Sequence, residues 1–497
     1  MCQFRLNRMR NNSKYLVLGL VILAGLFLRV YGWDKAFMWG HDHDLYSWIV
    51  KDIVVNNHQR LVGQVTSVDG VFIGSFYYYL MALGYLITGM EPWGAIIITS
   101  LINLVTMVSV WWIFKTTINL RAGWIGLALW ASSLGLAIYE KWSVPTQPVL
   151  LWTIWFWWVS KKICENNKWG WIGYAILTGF VWQIHIGLIP LLPIPLLVAG
   201  FVNRKSFWKL KEMVKRKWFV SFIGLALLVN LPFVLFELKT NFSQTQSIVA
   251  ATKIDKGGPT GWQKVEKVIS TSGREIQQRW LVTIDGDYSK YWPILWLGLM
   301  LVVYKSNKKE KGDLILMNLA VVSLLAAQFM SKRVVSEYYF TAMAVFVIIM
   351  IVKAVYRMPV YLVGGLIVVY GVMNFAALEE KSDISDSLYY RQKVVEYIKK
   401  DMAINNYQCL AVNFITTPGN NVGYRYLLWV KGIKQVRPSD NKFPIYNIIN
   451  PWLITEGEND IRIGRFGVIR PKNNVNYDWE SCNKTEFEPD TMLGYVD

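Results

Sequence analysis

"IGSFYYYLMALGYLITG", residues 73–89, is an apolar, aromatic-rich run followed closely by Pro92. Whether it crosses a membrane decides the fold. The chain around it is 497 residues long, 54% hydrophobic and only 17% charged. A water-soluble enzyme of this size carries more charge. The 25 tryptophans suit rings seated at a membrane interface. The composition is that of a polytopic helical membrane protein. The net charge of +18 does not point to nucleic acid, because Lys and Arg fall in short runs between apolar segments, as cytoplasmic loops do.

The apolar segments are 15–32, 73–89, 93–114, 121–138, 145–160, 169–185, 186–202, 218–236, 291–304, 314–330, 338–356 and 359–377. The first lacks a small-residue cleavage site and reads as a signal anchor. Basic clusters include "RLNRMRNNSK" (5–14), "KTTINLR" (115–121), "KKICENNK" (161–168), "NRKSFWKLKEMVKRK" (203–217), "KSNKKEK" (305–311) and "KAVYR" (353–357). Each is expected to be cytoplasmic. An odd number of crossings must then separate the first two clusters beyond residue 33, yet two apolar segments lie there. Segment 73–89 is taken as the one that does not cross, lying at the interface or entering and returning. Every later cluster then alternates correctly, giving about 11 transmembrane helices. The N-terminus is cytoplasmic, and the loops 33–92 and 237–290 and the tail 378–497 are extracytoplasmic.

The ionisable groups gather on that outer face. "WGHDHDLYSW" (39–48) holds two of the chain's four histidines and two acids, as His41, Asp42, His43 and Asp44. "YEKWSVP" (139–145) brings Glu140, Lys141 and Trp142. "QIHIG" (183–187) brings His185, and "SKRVVSEYY" (331–339) brings Lys332, Arg333 and Tyr338. A basic turn outside runs against the orientation rule, and a bound anion would explain it. A carboxylate beside a membrane-embedded cavity can act as general base toward a hydroxyl or amine, while Lys and Arg hold a phosphate leaving group. That set suits glycosyl transfer from a lipid-phosphate sugar. His-Asp-His-Asp also resembles a transition-metal ligand set, but adjacent residues rarely all face one ion. No cofactor is required on this reading, and a divalent metal stays open.

Other features are read more plainly. Asp52 and Asp69 are solvated loop acids or helix caps. Tyr77, Tyr78 and Tyr79 form an interfacial belt. "GGPTG" (257–261) is a loop, not a phosphate cradle, since no strand-then-helix context with a Lys follows it. The polar tail reads as a small α/β domain: "YYRQKVVEYIKKDM" (389–402) as an amphipathic helix, "CLAVNFI" (409–415) and "RFGVIRP" (465–471) as strands. Cys409 and Cys482 lie in it and form either a disulfide or two unpaired thiols.

Five stretches in this order resemble a known family. Asp42 with Tyr46 four residues on is similar to its acidic motif after the first helix. "GVFIGSFYYYL" (70–80), "EKWSVPTQP" (140–148), Gln183 and His185 before "IPLLPIP" (189–195), and "SEYYF" (336–340) follow. The family is the GT-C glycosyltransferases of the protein O-mannosyltransferase type, and the resemblance is strongest to bacterial members that use polyprenyl-phosphate sugars, including the lipid A aminoarabinose transferase. Ser75 stands where that family usually has proline, and Ser143 and Val144 replace part of its third motif. The resemblance spans about 15–380. It implies a GT-C fold with 73–89 as a juxtamembrane helix, an Asp base and inversion at the anomeric carbon.

The expectation is therefore an all-α polytopic membrane protein, residues 1–377, with an extracytoplasmic α/β domain, 378–497. It would move a sugar from a polyprenyl-phosphate donor to a lipid, glycan or protein acceptor. Asp42 is the expected base, with Asp44 positioning the acceptor or sharing the proton, and Glu140 as the third candidate. His41, His43, Tyr46, Lys141, Trp142, His185, Lys332, Arg333 and Tyr338 are expected around the substrates. A transporter or flippase of a lipid-linked anion would need polar residues along the crossing helices, and these are nearly charge-free. A non-catalytic assembly protein leaves the outer charge clusters unexplained.

Overall fold

The computed structural model describes the chain except residues 1, 67, 203–216, 252–257, 307–310, 418–422, 437–442, 456–459, 472–476, 478 and 485–497. It is mostly helical, with a small sheet near the C-terminus. The helices that build the site are α1 (Cys2–Val30), α2 (His41–Val55), α3 (Phe76–Ile87), α4 (Gly94–Thr117), α5 (Leu120–Ser132), α6 (Leu134–Glu140), α7 (Val149–Cys164), α8 (Lys168–Ile184), α9 (Gly261–Trp280), α10 (Lys311–Met330), α11 (Thr341–Val355), α12 (Leu388–Ile404) and α13 (Arg425–Val430). The strands are β1 (Val62–Val65), β2 (Phe72–Gly74), β3 (Ala411–Thr416), β4 (Ile445–Asn450), β5 (Ile461–Ile463) and β6 (Phe466–Ile469).

Among the described residues three helical stretches are long and apolar enough to cross a membrane: Gly94–Thr117, Lys311–Met330 and Glu337–Val355. Two bent pairs, Leu120–Ser132 with Leu134–Glu140 and Phe222–Val229 with Leu231–Lys239, raise this to five if each is one span. The eleven crossings expected from charge parity are thus not counted out by helix length. Prolines break the run 186–202 into a 3-10 segment and a short helix, Ile194–Val202. Along α1 and α4, Leu20, Leu23, Phe27, Leu101 and Val105 turn large apolar side chains outward, as a lipid-facing surface does and a water-facing one rarely does.

Segment 73–89 forms α3, which has 12 residues. At about 1.5 Å per residue it is roughly 18 Å long, well short of a ~30 Å hydrocarbon core. The chain reverses after it through Gly89 and Met90, both at positive φ (62° and 69°). Two glycines then let α3 and α4 approach: a Cβ on Gly94 would lie 2.6 Å from the Gly84 carbonyl oxygen.

The run 121–138 bends by 67° between α5 and α6. Ser133 fixes the corner. Its Oγ accepts the Leu136 N–H at 3.3 Å and donates to the Arg279 carbonyl at 2.7 Å. The bend carries residues 139–142 against α9. That helix is the largest departure from the sequence reading, which took 237–290 as a loop. Its buried face, Lys264, Val268, Thr271, Glu275 and Ile276, recurs at helical spacing but mixes polar with apolar groups.

The tail folds as expected into helix and strands, with sheet order β3-β4-β6-β5, β3 parallel to β4 and the other pairs antiparallel. Cys409 and Cys482 form a disulfide. The tail does not stand apart. Tyr46, Ile49 and Val50 of α2, Tyr77, Tyr78 and Met81 of α3, and Leu427, Tyr446 and Val468 of the tail belong to one hydrophobic core.

Candidate active site

The helix α2 opens at Gly40, whose extended backbone lets its N–H donate to His43 Nδ1 at 3.2 Å. Successive residues on a helix are ~100° apart. The four residues of His-Asp-His-Asp are therefore splayed and do not converge on one ion. No group of three or more metal-ligating side chains occurs among the described residues. Asp42, in the first turn, sits where the helix dipole favours an anion, with His41 exposed beside it. His43 and Asp44 turn inward.

Asp42 opens into a cavity of about 460 Å³ that Trp142, His185, Arg333 and Tyr338 also line. Asp42 is an exposed residue of that lining. Burial nevertheless pushes its pKa above the usual 3.8, with the neighbouring His41 opposing. The β1–β2 hairpin forms one wall through Gln64, Thr66 and Phe72. It is pinned from two sides. The Phe72 N–H donates to Gln244 Oε1 at 2.9 Å, and the Phe76 N–H donates to Gln183 Oε1 at 3.2 Å. Gly74 is required there, since any Cβ would overlap Gln183. Opposite, the His185 ring meets Tyr338 edge-on at 5.4 Å and Tyr339 at 5.3 Å.

Two further cavities adjoin this one. A second polar chamber of about 480 Å³ shares Trp142 and Tyr338 with it and runs along α9, past Arg274, Glu275, Gln278 and Arg279. An apolar groove of about 460 Å³ shares Pro145 with the Asp42 cavity and runs between α3, α4, α7 and α8, lined by Leu80, Leu151, Trp155, Ile176 and Phe180.

Of the residues singled out in the sequence, Asp42, Trp142, His185, Arg333 and Tyr338 thus meet around one space. The others are placed elsewhere. The Asp44 carboxylate accepts the Tyr426 backbone N–H at 2.7 Å and faces Arg425 Nε at 3.8 Å, so it ties α2 to α13. Glu140 lies in a buried pair with Arg29 at 2.5 Å and also accepts from Trp130 Nε1 at 3.2 Å. The Lys141 ammonium donates to the Tyr31 carbonyl at 2.9 Å. His43 is buried among Phe37, Trp39 and Tyr46, and burial, with Arg391 adding to it, lowers its pKa to about 3. Tyr46 packs edge-on against Tyr77 at 6.2 Å. Lys332 is exposed and does not line the cavity that Arg333 lines. Asp52, read as a loop acid or cap, is buried and pairs with Arg60 at 3.1 Å.

The sequence reading missed α9 and its Arg274, Glu275 and Arg279. The spacing 268, 271, 272, 275, 276 was the available signal. It also missed Gln64 and Thr66, which carry no motif.

No known family profile matches the chain, and no curated protein sequence matches it. Among solved structures it is similar to ArnT from Cupriavidus metallidurans bound to undecaprenyl phosphate, with TM-score 0.60 and 12% identity over 93% of this chain and 99% of that one. It is also similar to ArnT from the same organism in the apo state, with TM-score 0.58 and 10% identity over 93% and 98%. At such identity the likeness speaks for the fold alone. The chain has the helical fold of those structures over 93% of its length.

Proposed function

We propose that this protein is a membrane glycosyltransferase that moves a sugar from a polyprenyl-phosphate donor to an extracytoplasmic acceptor, with Asp42 as general base. One observation carries the reading: a cavity holding an acid, Asp42, and a cation, Arg333, adjoins an apolar groove at Pro145. A polyprenyl-phosphate sugar has that combination of parts. Its isoprenoid chain suits the groove, and its phosphate suits Arg333 and His185 at the groove's mouth. The undecaprenyl phosphate bound by the similar ArnT structure is a ligand of this class.

The chemistry balances with side chains alone. Asp42 takes the proton from the acceptor hydroxyl as its oxygen attacks the anomeric carbon. The bond from that carbon to the phosphate oxygen breaks, and polyprenyl phosphate leaves with the electron pair. Attack from the face opposite the phosphate inverts the anomeric carbon. Arg333 offsets the charge that grows on the leaving phosphate, where a charged donor acts more strongly than a neutral one. The raised pKa of Asp42 suits a base.

In this reading the N-terminus is cytoplasmic, the chain crosses eleven times, α3 lies along the membrane surface, and the tail packs over α2 outside. Purified protein should release polyprenyl phosphate from at least one member of a panel of polyprenyl-phosphate sugars, in a manner that Asp42→Asn abolishes. Turnover unaffected by that substitution, or no release across the panel, rejects the proposal.

A further inference from the structure

The α9 chamber adjoins the cavity that holds Asp42 at Trp142 and Tyr338, and it has its own chemistry. Three aromatic residues are among its lining: Tyr139, Trp142 and Tyr338. Donor-bearing polar residues line it too, beside the apolar Met38, Ile138, Val335 and Ile384. Glu275 is fully buried and saturated, since Arg279 donates to both of its oxygens at 2.9 Å and the Thr341 hydroxyl donates to Oε1 at 2.9 Å. That pairing fixes Arg279, whose guanidinium lies 4.3 Å from the Tyr139 ring centre. Arg274 reaches Glu337 at 3.3 Å, with both side chains well exposed. Lys267 and Gln278 complete the lining.

Two polar groups on lining residues are buried without a hydrogen-bond partner among the described residues: the Thr271 hydroxyl and the Trp142 indole N–H. Buried polar groups are normally satisfied, and each exception asks for a partner. Here both sit on side chains that line the same space, and Trp142 stands where this chamber meets the Asp42 cavity.

We infer that the α9 chamber binds a saccharide, the acceptor of the transfer. This rests on the reading of the Asp42 cavity as the donor site. A pyranose presents a C–H face that packs on aromatic rings, whose faces are electron-rich. Its edge is a ring of hydroxyls that both donate and accept. The chamber's lining combines the rings of Trp142 and Tyr338 with Arg274, Gln278 and Thr271. Its charges are largely paired, Arg279 with Glu275 and Arg274 with Glu337, so it is not built for a densely charged anion. No lining residue lies in a strand, so the chamber offers no strand edge of the kind on which extended peptides pair. The volume lies within the roughly 300–1,000 Å³ of small-molecule sites.

The test is saturation-transfer NMR on the full-length protein in detergent, with native mass spectrometry of polyprenyl phosphate run on the same samples. The probes are a neutral hexose trisaccharide, an N-acetylhexosamine trisaccharide, a serine-containing hexapeptide and a phosphatidylglycerol micelle. At least one trisaccharide should bind, and Thr271→Val and Arg274→Ala should each weaken it about tenfold, as the loss of one or two hydrogen bonds does. Thr271→Val keeps the shape of the side chain, so it tests the hydroxyl without emptying the site. Lys332→Ala, at an exposed residue outside both chambers, should change nothing. All four proteins should bind polyprenyl phosphate equally. Binding of neither trisaccharide, binding of only the peptide or only the phospholipid, or trisaccharide binding indifferent to both α9 substitutions overturns the inference. Loss of polyprenyl phosphate binding in the unmodified protein overturns the donor-site reading instead, so the two failures are told apart.

Discussion

The Asp44 carboxylate and the Tyr426 backbone N–H meet at 2.7 Å across 382 residues of sequence. This bond joins the helix that presents Asp42 to the C-terminal tail. Trp39 adds a second tie, donating its indole N–H to the Gly423 carbonyl at 2.9 Å. A cap over α2 thus holds in place the first turn from which Asp42 projects.

Asp44→Ala is expected to loosen that cap. A hydrogen bond to a charged group contributes roughly 1.5–3 kcal/mol, and the substitution also leaves Arg425 without its acidic neighbour. The melting temperature should fall and a protease should release the tail faster than in the unmodified protein. An unchanged melting curve together with unchanged proteolysis would show that the contact holds nothing.

Arg333 and Lys332 are adjacent in sequence, but only Arg333 lines the cavity. Arg333→Ala should weaken donor binding or use by about ten- to hundredfold, the loss of one charge-assisted contact of ~1.5–3 kcal/mol. Lys332→Ala should be within about twofold of normal, since an exposed charge contributes little. Steady-state kinetics against donor concentration separates them, and equal effects would remove Arg333 from the phosphate site.

Part of the Asp42 cavity was legible in the sequence because charge is rare in this chain. Asp42, His185 and Arg333 stood out against apolar runs, and the parity of basic clusters singled out 73–89. What the sequence could not supply was rotation about the helix axis. Asp42 and Asp44 look equivalent as letters, yet two residues on a helix diverge by about 200°, so one meets the cavity and the other the tail. The helix α9 was hidden for a different reason. Its inner face carries Lys264, Thr271 and Glu275, which a search for apolar runs passes over. Their burial becomes affordable only through partners distant in sequence, such as Thr341 on Glu275 and the Ser331 carbonyl on Lys264. The shared core of α2, α3 and the tail was equally invisible, because nothing local in residues 41–55 announces contact with residues 424–468.

His43 should give the fold a pH dependence. Burial and the Arg391 charge lower its pKa from 6.5 to about 3. Between those values the unfolded chain binds a proton that the folded chain refuses. Stability from this group is therefore complete above about pH 6.5 and declines as pH falls toward 3, with a slope of at most ~1.4 kcal/mol per pH unit. His43→Gln keeps an acceptor for the Gly40 N–H and does not titrate. Denaturation measured from pH 7 to pH 4.5 should be flatter for that variant. Parallel curves would mean that His43 is protonated in the folded state.

Asp42→Asn is the decisive substitution. Asparagine keeps the size of the side chain and its place in the first turn of α2, but it cannot take a proton. Loss of a general base typically lowers rate about 10²–10⁴-fold. Transfer should fall by that factor while polyprenyl phosphate binding and thermal stability stay unchanged, because Asp42 makes no contact that holds the fold comparable to those of Asp44. The pH profile supplies an independent check. The raised pKa places the acidic limb of the unmodified enzyme above the 3.8 of a free aspartate, with activity lost as pH falls through it, since only the ionised carboxylate accepts a proton. The residual activity of Asp42→Asn should lack that limb. Glu140→Gln, by contrast, disturbs the Arg29 pair, so it should cost stability first and activity only through unfolding. If Asp42→Asn turns over normally while Glu140→Gln is folded and inactive, the base is Glu140, and its contacts with Arg29 and Trp130 must break during the reaction.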